Sequence, residues 1–237
     1  MKLGIFAGGF KPFHNGHFAK LAVALEECEA VYVIFGKGSR KKGDNDFTYT
    51  SKMCEEIYEI VSKDLKTFDN RNKIITMMSK SSPVRDVFNI IGAHHIEEFD
   101  NDDYDKEFIR SFKEITVYTA EPEVYTKSIG TDKEPFYFGS MIKDNTLTFE
   151  SDSGGLKFLE WMREYYHPFS DGDIEYSADE EKAICEDDYT KIRGSDIRSI
   201  ISTGHSIKAF SKSIGNGSYI SAANVKRIYD ILKEGNK

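Results

Sequence analysis

The stretch KLGIFAGGFKPFHNGH (residues 2–17) carries more structural information than any other part of this chain. Its first residues form a short apolar run, typical of a buried strand, which leads into Gly8 and Gly9. His14 and His17 follow, three residues apart, where a helical pattern begins. The histidine pair fits four interpretations: a metal site, a proton-transfer pair, a phosphate clamp, or turn residues placed there by chance.

Strand-like runs alternate with helical patterns through the first half of the chain. The four runs cover residues 2–6, 30–36, 73–78 and 114–120. Strands that alternate with helices predict βαβ units and a parallel sheet. The fold class we predict is therefore α/β, with a Rossmann-like doubly wound sheet whose ligands bind at the carboxyl ends of the strands.

The pattern loosens in the second half of the chain. Residues of about 130–190 contain two short strand-like pieces, one of them NTLTFE, then a helical pattern and an acidic stretch. We interpret this part as an insertion in a single domain that spans residues 1–237. Order returns with a C-terminal helical segment, residues 195–237, in which Ser195 is predicted to cap the first helix.

Composition excludes several classes of protein. The 237 residues include 39% hydrophobic side chains, and three cysteines without paired spacing argue against a disulfide framework or a zinc site. A net charge of -8 disfavours a nucleic-acid partner. No apolar run approaches the ~20 residues that span a membrane, and no signal-peptide layout precedes the first strand. We expect a cytoplasmic protein that acts on small molecules.

Physical chemistry favours an anion site in the opening stretch. Glycines such as Gly8 and Gly9 let the backbone approach a ligand closely. A helix that starts near Asn15 offers free N–H groups and a dipole that attract phosphate. His14 and His17 flank that site, and they can donate hydrogen bonds to phosphate oxygens either as imidazolium or as neutral rings.

The residues GGFKPFHNGH resemble the G-x-F-x-P-x-H-x-G-H signature of the nucleotidylyltransferase superfamily and fit it at every fixed position. Members join a nucleoside triphosphate to a phosphate-bearing acceptor and release pyrophosphate. The resemblance implies that His14 and His17 contact the triphosphate near its α-phosphate. It also implies nucleotide contacts from Gly8, Gly9 and Phe10.

A second element, IRGSDIR (residues 192–198), resembles the superfamily's I-x-G-[ST]-x-I-R form, as found in archaeal-type nicotinamide-mononucleotide adenylyltransferases. Ser195 and the N–H groups after it begin a helix, which favours anions. Arg198 lies one turn further on, where a guanidinium can bind the β- and γ-phosphates through two hydrogen bonds. Ile192 and Arg193 complete the predicted nucleotide contacts of this element.

Two weaker matches add nucleotide-binding candidates. The loop GKGSRKKGDNDFT (residues 36–48) resembles the superfamily's G-S-x…F-T loop and contributes Arg40. VYTAEPEVY (residues 117–125) resembles the V-Y-[ST]-x-[ND]-P segment that lines the nucleotide pocket, and contributes Thr119. Lys11 stands at a position that the first signature leaves open, and we assign it to the triphosphate. A solvated charged loop and an ordinary strand turn explain these two segments equally well.

Candidate acceptor-binding residues follow the third strand. Lys80 lies in MMSKS, which resembles the lysine motif of class I aminoacyl-tRNA synthetases but falls in the wrong half of the fold for one. Arg85, Asp86 and Asn89 follow it, and the last two fall about one helical turn apart. Exposed helix polarity is the alternative interpretation of this group. The adjacent pair His94 and His95 does not predict a metal site, because neighbouring residues do not face one point.

The resemblance implies in-line attack of the acceptor's phosphate oxygen on the α-phosphorus, with Mg²⁺ bridging phosphate oxygens and no metal ligand from the protein. We expect ATP as donor and nicotinamide mononucleotide as acceptor. The alternatives are a cytidylyltransferase, an adenylyltransferase for a sugar, alcohol or pantetheine phosphate, and a nucleotide-binding sensor without catalysis. A homo-oligomer is compatible with the sequence, and the compact form with an insertion resembles bacteriophage nucleotidyltransferases.

Overall fold

A computed structural model describes much of the chain, and this part divides into two compact units. The sheet unit comprises Met1–Gly8, Ala24–Gly36 and Asn72–Ser153; the helical unit comprises Gly9–Val23, Lys37–Arg71 and Gly154–Lys237. The residues described are 1–38, 40–42, 47–69, 73–99, 101, 103–119, 123–126, 146–150, 194–203, 207–215 and 219–236.

Five parallel strands form the sheet of the sheet unit. Across the sheet the strands lie in the order β5 (Ile74–Met78), β2 (Ala30–Phe35), β1 (Lys2–Gly8), β6 (Glu114–Tyr118) and β7 (Leu147–Glu150). After β1, the chain first adds strands on one side of it and then adds strands on the other side. This arrangement confirms the predicted α/β fold with a Rossmann-like sheet, and it places the switch point of the topology between β1 and β6.

Apolar, β-branched residues explain why the central strands are buried. All six residues of β2 are buried, as a strand covered on both faces requires. Among the residues that the structure describes, three helices lie wholly in this unit: α3 (Pro83–His95), α4 (Lys106–Arg110) and α5 (Glu123–Thr126). The core joins strand residues such as Ile5 and Val117 to Ile90 and Ile91 of α3.

Helix α3 extends further than its sequence predicts. We expect Gly92 to end a helix over residues 84–92, yet the helix continues through His95. A Cβ atom at Gly92 would lie 2.7 Å from the ring of Phe99. The glycine therefore makes room for an aromatic ring and does not act as a helix stop.

Strand β7 lies inside the segment that the sequence assigns to an insertion. Residues 147–150 pair in parallel with β6 and extend the central sheet. Apart from Thr146, the remainder of residues 130–190 lies outside the described residues, so the single domain with an insertion stays a prediction.

The helical unit begins with the first turns of α1 (Asn15–Glu27), the helix that contains the boundary between the units. Residues Arg40–Lys42 (β3) and Phe47–Tyr49 (β4) form an antiparallel hairpin. The sequence offers Thr48 or Thr50 as the cap of the next helix. The structure has Thr50 in this position, where its hydroxyl oxygen accepts a hydrogen bond from the Met53 N–H at 3.2 Å. The other helices in the described ranges are α2 (Ser51–Phe68), α6 (Gly194–Ser202), α7 (Ile207–Ser213) and α8 (Ala222–Glu234).

Helix α8 packs on α2 within this unit. The spacing of apolar residues predicts one buried face for this helix, and the structure buries that face: Val225, Ile228, Tyr229 and Leu232. The Asp64 carboxylate of α2 accepts hydrogen bonds from the Ser221 N–H at 2.9 Å and from the Asn224 amide at 2.8 Å. The start of α8 is therefore fixed by a side chain of α2. None of the helices in the described part of the chain combines the length and the apolar character needed to cross a membrane.

Candidate active site

The two histidines of the opening stretch bracket the start of α1. His14 precedes the helix, and its carbonyl accepts hydrogen bonds from the N–H groups of His17 at 2.8 Å and Phe18 at 3.0 Å. In return, the His14 N–H donates to Nδ1 of His17 at 3.3 Å. This second bond is one half of a capping box, with a histidine side chain at the position where glutamate is usual. Because Nδ1 of His17 accepts, the neutral ring carries its proton on Nε2 and can donate from there.

Burial and close packing favour the neutral form of both histidine rings. They stack with their centroids 3.6 Å apart and an interplanar angle of 24°, a distance at which two positive charges would repel each other. Burial lowers the pKa of His14 to about 4, against a smaller upward effect of Asp196. Burial, and then His14, lower the pKa of His17 well below its usual value of 6.5. Of the two protonation states open to the sequence, the structure favours the neutral donors.

Two aromatic side chains, Phe10 and Phe13, pack beside His17. The rings of Phe10 and Phe13 lie 4.8 Å and 5.5 Å from that imidazole, and 5.2 Å from each other. Phe10 adopts a φ of 41°, a left-handed conformation that is a genuine outlier for a bulky side chain. Backbone strain of this kind concentrates at functional sites. At Gly9 an added Cβ would meet no atom of the described residues within 4 Å.

The second sequence element meets the first within the helical unit. A Cβ atom at Gly194, the first residue of α6, would lie 3.1 Å from the Lys11 carbonyl oxygen and 3.2 Å from Nη1 of Arg198. The start of α6 therefore packs against the backbone of the first element, and Arg198 folds back over that start. Two segments about 180 residues apart form one site whose helix start attracts anions.

The structure corrects the prediction that Ser195 caps α6. The helix begins at Gly194, so Ser195 lies inside the first turn, and its hydroxyl donates to Oδ1 of Asp196 at 3.4 Å. The Asp196 carboxylate is close enough to His14 to affect the pKa of that histidine. Ile192 and Arg193 lie outside the described residues.

Tyr49, at the end of β4, was missed by the sequence interpretation. Its hydroxyl is buried and has no hydrogen-bond partner in the described part of the chain. Burial raises the pKa of Tyr49 well above its usual value, and the charge of Arg198 opposes that rise. The tyrosine therefore lies close enough to the Arg198 guanidinium to interact with it electrostatically. No local pattern in FTYT (residues 47–50) predicts that proximity.

The basic residues of the predicted triphosphate site have partners in the protein. The Lys11 ammonium donates to the carbonyl of Gly38, and Lys37 forms an ion pair with Glu55. Arg40 lies in β3, and its side chain is outside what the structure describes. Lys11 thus connects the loop after β1 to the loop after β2.

Two predicted nucleotide contacts belong to the sheet unit. Gly8 is the last residue of β1, and Thr119 follows β6 directly. These strands are neighbours, and their carboxyl ends flank the switch point at which sheets of this kind bind ligands.

The predicted acceptor residues, all in the sheet unit, separate into two groups. Lys80 forms an exposed ion pair with Asp103 at 2.6 Å. The Arg85 side chain is exposed, while its backbone N–H donates to the capping hydroxyl of Ser82 at 3.2 Å. The sequence gives no sign of the pairing between Lys80 and Asp103, because 23 positions separate the two.

Asp86 and Asn89 meet at Tyr104, which the sequence interpretation missed. The Tyr104 hydroxyl donates to Oδ1 of Asp86 at 2.7 Å and accepts from the Asn89 amide at 3.4 Å. Burial raises the pKa of Tyr104, and the hydrogen bond to Asp86 adds to that rise. Asp86 is 5% exposed, and its Oδ2 atom has no hydrogen-bond partner among the described residues. Such an oxygen accepts from N–H or O–H groups and repels phosphate.

No three metal-ligating side chains gather in one place among the residues that the structure describes. His94, at the end of α3, hydrogen-bonds through Nε2 to the Phe112 carbonyl at 2.9 Å. This histidine therefore joins two elements of the sheet unit.

Two curated relatives resemble this chain, and both are phosphopantetheine adenylyltransferases. The enzyme of Mycoplasma mycoides subsp. mycoides is 32% identical over 80 residues, which cover 34% of this chain and 56% of that enzyme. The enzyme of Mycoplasma capricolum subsp. capricolum is 30% identical over 118 residues, which cover 48% of this chain and 78% of that enzyme. The chain thus spans little more than half of the first relative's length. No family model matches the chain.

Proposed function

Because the chain belongs to the nucleotidylyltransferase superfamily, we propose that it transfers the adenylyl group of ATP to a phosphate-bearing acceptor. The names of both relatives support adenylyl transfer. The observation that carries the proposal is the contact between Lys11 and Gly194, which joins the segment that contains the histidines to the helix that contains Arg198.

In the proposed reaction a phosphate oxygen of the acceptor attacks the α-phosphorus of ATP, the bond to the bridging oxygen breaks, and pyrophosphate leaves. The acceptor oxygen is already ionised at neutral pH, so no general base is needed. Catalysis then consists of positioning and charge stabilisation. His14 and His17 donate hydrogen bonds to the α-phosphate as neutral rings, while Arg198 and the start of α6 hold the β- and γ-phosphates.

Phosphopantetheine is the acceptor that we propose first, since both relatives are named for it. The resemblance of IRGSDIR favours nicotinamide mononucleotide, which we keep as the second candidate. The buried Asp86 carboxylate supports an acceptor that carries N–H or O–H donors outside its phosphate group. Because this carboxylate repels phosphate, we assign the acceptor's phosphate group to Lys80 and Arg85 instead. A pantetheine arm, with its amides and hydroxyl, has such donors.

The donor set of the site fits a Mg²⁺ ion that arrives with the nucleotide. Mg²⁺ takes oxygen ligands and is commonly bound by substrate phosphates, waters and one or two carboxylates. The Asp196 carboxylate and the Ser195 hydroxyl are the oxygen groups that α6 presents at its start. When bound, the ion would neutralise phosphate charge. We propose Asp196 as its ligand from the protein, which departs from the expectation that substrate phosphates and water hold the ion without one.

Pyrophosphate release, measured for ATP and CTP with each acceptor, tests the function. We expect turnover with ATP and phosphopantetheine that exceeds turnover with nicotinamide mononucleotide or a sugar phosphate. Turnover with CTP alone would contradict adenylyl transfer. Tight ATP binding without turnover of any acceptor would favour the nucleotide-binding sensor.

His17→Ala tests the mechanism separately from the choice of acceptor. Loss of a preorganised donor to the developing charge lowers kcat by about 10²–10³-fold. We expect that loss in steady-state assays with the preferred acceptor. His95→Ala, at the end of α3, is the matched control and keeps the kcat of the unmodified protein. A His17→Ala protein with full kcat would contradict the proposed role.

A further inference from the structure

Tyr219, which precedes α8, contacts the histidine segment from a distant part of the sequence. Its hydroxyl donates to Oδ1 of Asn15, 204 positions away, at 2.8 Å. Its ring stacks on Phe18 with 3.9 Å between centroids and an interplanar angle of 8°. It also meets the ring of Phe13 edge-on at 5.9 Å. All these residues belong to the helical unit.

The position of Tyr219 depends on a glycine. Gly215 has a φ of 73°, in the left-handed region that side chains rarely adopt. A Cβ atom there would lie 2.2 Å from the tyrosine ring. Gly215 therefore provides both the turn and the space that the Tyr219 ring needs. Tyr219 is 3% exposed.

Each partner of Tyr219 is adjacent to a histidine or touches one. Asn15 is 3% exposed and directly follows His14. The N–H of Phe18 donates to the His14 carbonyl at 3.0 Å, and the ring of Phe13 lies 5.5 Å from that of His17. A displacement of Tyr219 would therefore reach the helix start on which both imidazoles depend.

We infer that Tyr219 is a positioning residue for His14 and His17. Its hydroxyl fixes the side chain of Asn15, which lies between the histidines in the sequence. Its ring packs against Phe13 and Phe18, which precede and follow the histidines in the sequence. This inference rests on the proposed function, because it assigns Tyr219 to the same site. Tyr219 does not touch the reacting atoms, and it acts through the geometry of the two rings.

Tyr219→Phe removes the hydroxyl and keeps the stacked ring, so it isolates the hydrogen bond to Asn15. A catalytic group that is misplaced by 1 Å can lower the rate about 10²-fold, and a displacement well under 1 Å lowers it less. We expect kcat to fall about tenfold, with KM for ATP changed less than about twofold, because the loss affects the transition state. Tyr229→Phe is the matched control: Tyr229 packs against Phe210 in the same segment, and that variant keeps kcat.

Coupling distinguishes positioning from a general loss of stability. Asn15→Ala and the double variant Asn15→Ala/Tyr219→Phe complete a double-mutant cycle. If the hydroxyl acts through Asn15, the double variant loses no more kcat than Asn15→Ala alone. Losses in kcat that multiply would overturn the inference, as would full kcat in a folded Tyr219→Phe protein.

A readout without turnover separates this inference from the proposed function. The imidazole ¹⁵N signals of His14 and His17 report the tautomer and surroundings of each ring. We expect the His17 signals of the unmodified protein to show a proton on Nε2, and those of Tyr219→Phe to shift at both histidines. Unchanged signals would overturn the positioning role, whereas the absence of turnover with every acceptor would refute only the function.

Discussion

At the scale of single residues, His14 combines burial with a polar ring. It is 5% exposed, and its Nδ1 atom has no hydrogen-bond partner within the described residues. Protonation would place a charge in this buried position beside a second imidazole. The neutral state is therefore a requirement of the fold as well as of the proposed chemistry.

Acid should destabilise the protein through His14. Its folded pKa of about 4 lies below the usual 6.5, so the unfolded chain binds the proton more readily between these values. The stabilisation is present above pH 6.5 and is lost as the pH falls toward 4. At 1.36 kcal/mol per pH unit, it amounts to about 3 kcal/mol. Denaturant unfolding at pH 7 and pH 4 measures the loss.

His14→Gln is the control for this prediction, because glutamine does not titrate. We expect its free energy of unfolding to fall by about 3 kcal/mol less than that of the unmodified protein over the same pH range. Parallel pH dependences of the two proteins would contradict the prediction.

At the scale of elements, the start of α2 depends on one hydroxyl. Thr50 has extended backbone angles and accepts the hydrogen bond from Met53, which satisfies one of the N–H groups at the helix start. Thr50→Ala removes this bond and should lower the free energy of unfolding by about 1 kcal/mol. Equilibrium unfolding in urea measures the change.

Thr67→Ala provides the same substitution in the last turns of the same helix. Its hydroxyl donates to the Lys63 carbonyl at 3.0 Å from an exposed position, and it caps nothing. We expect a change within about 0.5 kcal/mol. Equal losses in the two variants would mean that capping does not stabilise α2.

Local patterns predict the elements better than they predict the site. Runs rich in β-branched and aromatic residues mark β1, β2, β5 and β6, and the spacing of Val225 and Ile228 marks α8. These patterns are local consequences of burial. The prediction that Gly92 ends a helix was wrong, because a glycine at this position leaves space for the ring of Phe99. Local helix propensity carries no information about that contact.

The site itself depends on contacts between distant positions. The motifs supply His14, His17 and Arg198 as candidates, because each motif is a short string with its own helix start. Tyr219 follows from no motif, since its partner Asn15 lies 204 positions away and its space is made by Gly215. The left-handed φ of Phe10 has no sequence signal either, because glycine or asparagine is the residue expected there.

At the scale of the whole molecule, nucleotide binding should raise global stability through Arg198. A ligand at 100 times its Kd stabilises the folded state by about 2.7 kcal/mol. Arg198→Lys keeps the charge but loses the two-pronged hydrogen bonding to phosphates. If the Kd for MgATP rises about tenfold, the same concentration stabilises by about 1.4 kcal/mol. Urea unfolding with and without MgATP measures both values.

Arg227→Lys is the matched control for the whole-molecule prediction. Arg227 donates to the Asn224 amide oxygen at 3.2 Å on α8, in an exposed position. That variant should retain the full stabilisation of about 2.7 kcal/mol by MgATP. An Arg198→Lys protein that matches it would exclude the guanidinium from nucleotide binding.

The contact between Lys11 and Gly194 has a consequence for the synthesis of the protein. Translation adds residues in order, so the histidine segment emerges long before the helix that completes the site. A nascent chain shorter than 194 residues lacks half of the proposed triphosphate site. If ATP binds as proposed, it cannot assist the early steps of folding on the ribosome through this site, and it stabilises only molecules whose two distant segments have already come together.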